Sequence, residues 1–221
     1  LGVTGPLAGK RVVVTAGPTR EAIDPVRFLS NPSSGKMGYA IADAAARRGA
    51  EVVLVSGPTN LEPPASAEIV PVTTADEMNV AVRELAGEVD VFIGAAAVAD
   101  WRPVHGARHK LKKSDAARLS LELERTPDVI GEVAGWQPKP IVVGFAAETQ
   151  ELVANATEKL ARKGWDLGVA NDVSAEGVGF AGDTNRVTII DASGETEDTG
   201  LVSKDEVAAR VLDRIEQLLD R

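Results

Sequence analysis

The sequence contains no cysteine and only two histidines, so several kinds of chemistry lack the side chains they need. Without cysteine there is no disulfide, no thiolate nucleophile and no thiolate metal site. Both histidines, His105 and His109, lie in one polar and basic stretch, which argues against a histidine-based triad or a histidine-rich metal site. We therefore expect chemistry that relies on positioning and electrostatic stabilisation, as in nucleotidyl transfer.

Long apolar runs are also missing. No run approaches the roughly 20 residues that span a bilayer, and the first residues show no signal-peptide pattern. With the lack of cysteine, this fits a soluble protein of the reducing cytoplasm that has no membrane partner. The net charge of -9 argues against a nucleic-acid partner, because such proteins present basic surfaces to phosphates. An anionic substrate would require a local concentration of cations.

The segments that are present favour one domain in which strands and helices alternate. The 221 residues are enough to bury a full core. Residues 1–7 begin without methionine and resemble a linker, so we expect a fragment of a longer protein whose domain covers residues 8–221. Apolar runs and turn signals predict strands at 11–15, 51–56, 69–72, 90–94, 119–123, 141–145 and 167–170, a hairpin around 186–190, and helices at 37–48, 74–85, 150–163 and 203–219.

This alternation is typical of an α/β, Rossmann-like, doubly wound and mostly parallel sheet with helices on both faces, here with a small C-terminal β-hairpin extension. Thr74 and Glu77 fit a capping box, and Thr126 fits the cap of a further helix with Pro127 at its first position. Ligands of such sheets bind beyond the carboxyl ends of the strands. We therefore expect the loops at 16–38, 94–103, 124–129 and 144–149 to form the site.

The segment from Ser33 to Gly38 precedes the first helix and consists largely of small residues. Such residues let the backbone approach an anion, and the free N–H groups of a helix start point toward it. The segment is not a Walker A loop, because Ser30 stands where the first glycine is required and Met37 follows Lys36. An ordinary helix start remains the alternative. The candidate residues of this phosphate cradle are Ser33, Ser34, Gly35, Lys36 and Gly38.

Polar and small residues follow two of the predicted strands. Asn31 stands in a common turn dipeptide, although an asparagine amide can also donate a hydrogen bond to a developing oxyanion. The run from Gly94 to Ala97 is small enough for a flat base or a sugar to lie against, but close packing of a helix on the sheet requires the same residues. Asp100 comes just after it, where a carboxylate can bind ribose hydroxyls.

Cations are concentrated in two places. The run 109–113 (His-Lys-Leu-Lys-Lys) is the densest positive stretch of an acidic protein, and it fits either a flap that closes on phosphates or a solvated surface. Lys159 and Lys163 are four residues apart on a predicted helix and share one face at the edge of its apolar stripe. Either a ligand or an internal salt bridge explains that placement.

Several longer runs occur together and in a fixed order. They are AGPTRE (16–21), DPVR (24–27), SNPSSGKMG (30–38), AAVADW (96–101), KLKK (110–113), TPD (126–128), VGFAAET (143–149) and AND (170–172). In this order they closely resemble bacterial phosphopantothenoylcysteine synthetase, the ligase half of the bifunctional coenzyme A biosynthesis protein. The resemblance extends over nearly the whole chain, from about residue 8 onward.

The resemblance implies a CTP-dependent ligation in two steps. The carboxylate of 4′-phosphopantothenate attacks the α-phosphorus of CTP, giving an acyl-cytidylate and pyrophosphate, and the amine of L-cysteine then expels CMP. It also implies Mg²⁺, a homodimer with the substrate site at the interface, and native fusion to a flavin-dependent decarboxylase domain, so that this fragment carries no flavin. Asn31 is the implied catalytic residue. The implied CTP-binding residues are Gly94, Ala95, Ala96, Asp100, Lys110, Thr126, Pro127, Asp128, Val129, Phe145, Lys159 and Lys163.

Two other functions fit the same kind of sheet. A nicotinamide-dependent reductase would bind NAD(P)H and would usually need a Tyr–Lys pair, whereas Tyr39 is the only tyrosine. A non-catalytic nucleotide-binding or assembly module would bind CTP without releasing pyrophosphate.

Overall fold

A computed structural model describes residues 4–112, 118–148, 152–172 and 182–220. In chain order its elements are β1 (Arg11–Ala16), β2 (Glu21–Ala22), β3 (Phe28–Leu29), α1 (Lys36–Arg47), β4 (Glu51–Ser56), β5 (Ala67–Pro71), α2 (Ala75–Arg83), β6 (Val91–Gly94), β7 (Trp101–Pro103), β8 (Leu123–Arg125), α3 (Val129–Ala134), β9 (Ile141–Glu148), α4 (Leu152–Lys163), β10 (Leu167–Asp172), β11 (Thr184–Asp191), β12 (Thr196–Ser203) and α5 (Lys204–Leu219). Lys113 and the first two residues of the predicted helix 150–163 lie outside the described residues.

The main sheet has eight strands in the order β12-β11-β10-β9-β6-β1-β4-β5. Every neighbouring pair from β10 to β5 is parallel, whereas β11 pairs with both β10 and β12 in the antiparallel sense. The predicted Rossmann-like sheet with a C-terminal hairpin is therefore confirmed. Two short ribbons, β2–β3 and β7–β8, lie outside this sheet.

Central strand β1 shows why the sheet is covered on both faces. Successive strand side chains point to opposite faces, and Val12 and Val14 join one core cluster while Val13 joins the other. The first cluster contains Ile41 of α1 and Val207 of α5, and the second contains buried residues of α2, α3 and α4. An apolar run without alternation thus corresponds to a strand buried on both faces, as in other parallel sheets.

Local sequence signals fix several helix ends. The Thr74–Glu77 capping box is present at the start of α2, as predicted. Helix α5 begins after Ser203, whose hydroxyl accepts the N–H of Glu206. The helical spacing of Val207, Val211, Ile215 and Leu218 predicts one apolar stripe. The first three of these residues are buried, and Leu218 is only half-buried. Among the described helices, none combines the length and the apolar character needed to cross a bilayer.

Three local predictions are wrong, and all fall next to the candidate site. The loop expected at 144–149 is strand as far as Glu148, because β9 pairs with β10 over Val143–Glu148. Helix α3 does not start after Thr126 but after Asp128, whose carboxylate accepts the N–H of Gly131. The Thr126 hydroxyl instead bonds to the backbone of another loop, so a long-range partner outcompetes the local cap. The strand predicted at 119–123 lies at Leu123–Arg125, because only that stretch finds a partner, namely the three-residue strand β7. The domain boundary at residue 8 stays a prediction, and Leu7 itself is fully buried.

Candidate active site

Two of the predicted loops are fastened to each other at the carboxyl edge of the sheet. Thr19, which is completely buried, lies at the junction. Its hydroxyl accepts the N–H of Ala99 at 3.0 Å, and its carbonyl accepts the hydroxyl of Ser30 at 2.6 Å. The N–H of Ala97 donates to the carbonyl of Gly17 at 2.9 Å. Loop 17–35 and loop 95–100 therefore form one continuous surface.

The backbone of residues 98–100 brings three predicted site residues together. The Asn31 amide donates to the carbonyl of Val98 at 2.9 Å. The Thr126 hydroxyl donates to the carbonyl of Ala99 at 2.6 Å, and its N–H donates to the carbonyl of Asp100 at 3.1 Å. Asn31 and Asp100 are both exposed. Because an amide nitrogen carries two hydrogens, Asn31 retains a second donor for a ligand.

The predicted phosphate cradle surrounds the start of α1. Gly35 caps the helix with φ 78° and makes no side-chain cap. The hydroxyl of Ser33 accepts the N–H of Gly35 at 3.2 Å, and that of Ser34 accepts the N–H of Lys36 at 3.4 Å. These two N–H groups, which an anion at the helix start would need as donors, are thus bonded to serine hydroxyls in the structure. The phosphate cradle stays a prediction.

Two cradle residues also have other roles. The Nζ atom of Lys36 lies 2.6 Å from a carboxylate oxygen of Asp183, so the lysine forms an ion pair with that residue. The hydrogen bond from Lys36 is the largest reason why the pKa of Asp183 lies below its usual range. A Cβ on Gly38 would lie 2.5 Å from the Cβ of Ala16, so Gly38 lets α1 pack against β1. Helix–sheet packing, the alternative to a ligand contact, therefore accounts for Gly38.

The small residues after β6 are bound closely to the sheet. The N–H groups of Ala95 and Ala96 donate to the carbonyl and the hydroxyl of Thr15, at 3.2 and 3.4 Å. A Cβ on Gly94 would lie 2.3 Å from the Cδ1 atom of Ile130. The absence of a side chain at Gly94 is thus required for α3 to pack on the sheet, whatever contact the residue makes with a ligand.

We expect Gly94→Ala to destabilise the fold by about 1–3 kcal/mol, because the added methyl overpacks the contact with Ile130. The double variant Gly94→Ala/Ile130→Ala should lose less stability than the sum of the two single variants, as measured by urea unfolding. Strictly additive losses would contradict this packing role.

The basic segment is attached to the turn at 24–27. The buried Asp24 carboxylate accepts the N–H of Leu111 at 3.1 Å, and the Arg27 guanidinium donates to the carbonyl of Leu111 at 2.7 Å. Lys110 and Lys112, which are exposed, stand on either side of this anchored residue. The chain between Asp24 and Arg27 and this segment together line one recess. Asp24 and Arg27 were not predicted as site residues, although an Asp-Pro turn with arginine at i+3 is a usable signal.

Burial alone would raise the pKa of Asp24. The hydrogen bonds donated by the Arg27 side chain and by the backbone N–H groups of Val26, Leu111 and Arg27 outweigh it and hold the pKa well below its usual range. Asp24 is therefore ionised at physiological pH and can accept these hydrogen bonds there.

A second group of predicted residues lies between α3 and α4. The Nζ atom of Lys163 lies 2.8 Å from the Asp128 carboxylate and 5.9 Å from the centroid of the Trp165 ring. The internal salt bridge weighed for this lysine is thus present. Val129 is buried and belongs to the core cluster that contains buried residues of α2, α3 and α4, so packing accounts for its side chain. The other predicted residues of this group, Pro127, Phe145 and Lys159, are half-buried.

In the described part of the chain, no three histidine, aspartate or glutamate side chains converge on a metal-binding position. Cations lie close to these groups, because the basic segment is attached to the turn at 24–27 and Lys163 reaches Asp128 at the start of α3. The arrangement can hold a polyanion with cations and with the Asn31 amide as a neutral donor.

Comparison with known proteins gives this arrangement a family. The chain is 49% identical to a coenzyme A biosynthesis bifunctional protein, CoaBC, of Bacillus subtilis over 97% of its own length, but it spans 53% of that relative. The solved C-terminal domain of a CoaBC protein matches 98% of the chain, and is itself 99% covered, with 44% identity and a TM-score of 0.84. The DNA/pantothenate metabolism flavoprotein of Streptococcus pneumoniae is 26% identical with a TM-score of 0.79, covering 95% of this chain and 99% of its own. Residues 7–219 match one family model, and the chain belongs to the family of the DNA/pantothenate metabolism flavoprotein C-terminal domain.

Proposed function

We propose that this chain is a ligase that joins 4′-phosphopantothenate to L-cysteine, using CTP and forming an acyl-cytidylate. The observation that carries the proposal is the attachment of Asn31 and Thr126 to residues 98–100, beside Asp100. That relatives are named for coenzyme A biosynthesis supports the substrate class. Because the chain spans about half the length of those relatives, only the ligation step is proposed for it.

In the first step, the pantothenate carboxylate attacks the α-phosphorus of CTP and pyrophosphate leaves. The residues of this chain bind and orient. Asp100 accepts hydrogen bonds from the ribose hydroxyls, while Lys110, Lys159 and Lys163 offset the negative charge of the phosphates. Bringing the two anions into line removes most of the entropic barrier, and no side-chain nucleophile is needed.

In the second step, the amine of cysteine attacks the acyl carbon, the acyl–phosphate bond breaks, and CMP leaves with the electron pair. Negative charge develops on the acyl oxygen during the attack. The second N–H of the Asn31 amide stabilises that charge, since a neutral donor is most effective where charge appears in the transition state. The hydrogen bond to Val98 keeps the amide in a fixed orientation.

We include Mg²⁺ in the proposal as the ion that offsets the negative charge of the triphosphate. Magnesium prefers oxygen ligands and is commonly held by substrate phosphates with one or two carboxylates. The described residues offer isolated carboxylates such as Asp100 rather than a cluster, which fits an ion that arrives with the nucleotide. We also propose a cytoplasmic location and native fusion to a flavin-dependent decarboxylase domain, consistent with relatives of about twice the length that are named bifunctional.

A homodimer is part of the same proposal, and an exposed apolar surface supports it. The ribbons β2–β3 and β7–β8 contact each other and expose large apolar side chains. These are Val26, Phe28, Trp101 and Leu123. Exposed patches of this kind mark interfaces.

Sedimentation equilibrium at micromolar concentration should give twice the chain mass, and Trp101→Asp should lower the measured mass toward that of the monomer. A fully active monomer would overturn the dimer.

The decisive experiment measures pyrophosphate release from CTP with 4′-phosphopantothenate, with and without cysteine. We expect release in both conditions and CMP only when cysteine is present. A chain that releases no pyrophosphate in either condition is not this ligase. Binding of CTP without release of pyrophosphate would favour the non-catalytic module.

The structure disfavours the alternative function of a nicotinamide-dependent reductase. The hydroxyl of Tyr39, the only tyrosine, is already engaged with the hydroxyls of Ser56 at 3.0 Å and Thr59 at 3.1 Å.

A further inference from the structure

The peptide group between Val98 and Ala99 connects two side chains on opposite sides of it. Its carbonyl, which belongs to Val98, accepts the Asn31 amide at 2.9 Å. Its N–H, which belongs to Ala99, donates to the hydroxyl of Thr19 at 3.0 Å. Because a peptide group is planar, with its carbonyl and its N–H pointing in opposite directions in the trans form, a hydroxyl that fixes the N–H also fixes the direction of the carbonyl. Thr19 therefore determines where the partner of the Asn31 amide lies.

Thr19 has no access to a ligand. It is completely buried, whereas Asn31 is exposed. Its hydroxyl is the acceptor for a buried N–H group, since Ala99 is buried as well. A buried N–H group that loses its acceptor costs free energy, so the peptide group would turn toward another partner if the hydroxyl were removed. Any effect of Thr19 on the reaction must consequently pass through the residues that it contacts.

The backbone next to Thr19 provides a rigid support for this contact. The N–H of Arg20 donates to the carbonyl of Thr73 at 2.8 Å. The buried Glu21 carboxylate accepts the N–H of Ala75, the first residue of α2, at 2.9 Å. The position of the Thr19 hydroxyl is thus set by α2 and the loop before it, rather than by the loop that the hydroxyl holds.

Thr19 also holds the turn from which Asn31 extends. Its carbonyl accepts the hydroxyl of Ser30, the residue before Asn31, at 2.6 Å. The Asn31 amide is therefore fixed on two sides, through its own neighbour in the chain and through the carbonyl that accepts its N–H. Both paths lead to Thr19, and a residue that only filled space in the core would need neither contact.

We propose that Thr19 is a positioning residue for the Asn31 amide and acts through the peptide group between Val98 and Ala99. Its hydroxyl fixes that peptide group, and the peptide carbonyl holds one amide N–H of Asn31 so that the other is directed toward the acyl oxygen. Hydrogen bonds in such a chain polarise one another, so the bond between Ala99 and Thr19 also makes the carbonyl a better acceptor. The inference rests on the proposed function for the role of Asn31 in the second step.

The first test removes the hydroxyl and measures both steps in the first turnover. Thr19→Val keeps the shape of the side chain without the hydroxyl, and it should slow cysteine-dependent CMP release by about 10–100-fold, because a small misplacement of a catalytic group is costly. Pyrophosphate release should stay within about threefold, since Asn31 acts only in the second step. Thr19→Ser keeps the hydroxyl and should keep both rates within about threefold of those of the unaltered chain. If CMP release is equally fast in Thr19→Val and in the unaltered chain, the proposal is wrong.

A double variant separates positioning from a purely structural role. If Thr19 acts through Asn31, Thr19→Val should slow CMP release by less than about twofold in a chain that already carries Asn31→Ala. A loss of the same size in both backgrounds would overturn the proposal. The matched control is Thr199→Val, because the buried Thr199 hydroxyl likewise accepts a backbone N–H, that of Val187 at 3.1 Å, on the C-terminal hairpin. This control should leave CMP release within about twofold.

A measurement without catalysis tests the same positioning. NMR relaxation of a chain labelled with ¹⁵N-asparagine reports the mobility of the Asn31 side-chain amide, whose signals are those lost in Asn31→Ala. We expect the order parameter of a rigid group, about 0.85, in the unaltered chain and that of a flexible one, below about 0.6, in Thr19→Val. A flexible amide in the unaltered chain, or a rigid one in Thr19→Val, would contradict the role of Thr19. If the expected mobilities are found but no pyrophosphate is released from CTP, the ligase assignment fails and the role of Thr19 stands.

Discussion

Asn31→Asp should leave pyrophosphate release intact and arrest the second step, so that the acyl-cytidylate accumulates. A carboxylate cannot donate a hydrogen bond to the acyl oxygen as charge develops on it. Losing one such donor typically lowers a rate by about 10²–10³-fold. Quenched reactions analysed for the acyl-cytidylate and for pyrophosphate measure both steps in one experiment.

The structure adds a complication that Asn31→Ala resolves. The Asn31 amide donates to the carbonyl of Val98, so an aspartate would place a negative oxygen against that carbonyl and disturb residues 98–100. Asn31→Ala removes the donor without adding charge. If both variants accumulate the intermediate, the missing donor is the cause. If Asn31→Ala folds but loses pyrophosphate release, Asn31 does not have the proposed role.

Asp24→Asn should weaken the attachment of the basic segment and raise the KM for CTP by about tenfold, because loosely held cations contribute less to binding. An asparagine keeps the shape but offers Arg27 no charge and Leu111 a weaker acceptor. The matched control is Asp198→Asn, since Asp198 forms a similar pair with Arg186 on the C-terminal hairpin. That control should leave the KM unchanged. An unchanged KM in Asp24→Asn would show that Lys110 and Lys112 do not depend on this anchor.

Asp24→Asn should also change how the stability of the fold depends on pH. Because the pKa of Asp24 is held below its usual range in the folded chain, its stabilising contribution is complete above the unfolded-state pKa, about 4, and is lost as the pH falls toward the folded value. Asp24→Asn lacks this dependence. The difference in unfolding midpoint between the unaltered chain and the variant should therefore be constant near neutrality and shrink as the pH falls below about 4. A difference that grows on acidification would contradict the assignment.

Much of the fold was predictable because its signals are local or periodic. The apolar run in β1 predicted a strand, and the spacing of Val207, Val211 and Ile215 indicated the buried side of α5. The capping box at Thr74 needs only four consecutive residues, so it could be found without any knowledge of the fold. The start of α3 could not be found in this way. Thr126 and Asp128 are both good helix caps, and only the tertiary partner of Thr126 decides between them.

The candidate site, like the fold, was predictable from the sequence only in part. Its location beyond the carboxyl ends of the strands followed from strand and helix order, and the lack of cysteine and the scarcity of histidine already limited the chemistry to binding and electrostatics. The contact partners of its charged and small residues could not be predicted, because these partners lie far away in the sequence. Asp24 holds Leu111 across 87 residues, and Lys163 pairs with Asp128 across 35.

What the sequence alone determined is therefore the layered sheet, the exclusion of thiol and histidine chemistry, and the residue types available at the carboxyl edge. These depend on composition and on short-range periodicity. What only the tertiary structure decided is which of those residues are already engaged: Asn31 with Val98, Lys36 with Asp183, and Lys163 with Asp128. Hydrogen bonds and close contacts between distant segments leave no periodic signal, because they are selected by the packing of whole elements rather than by neighbouring residues.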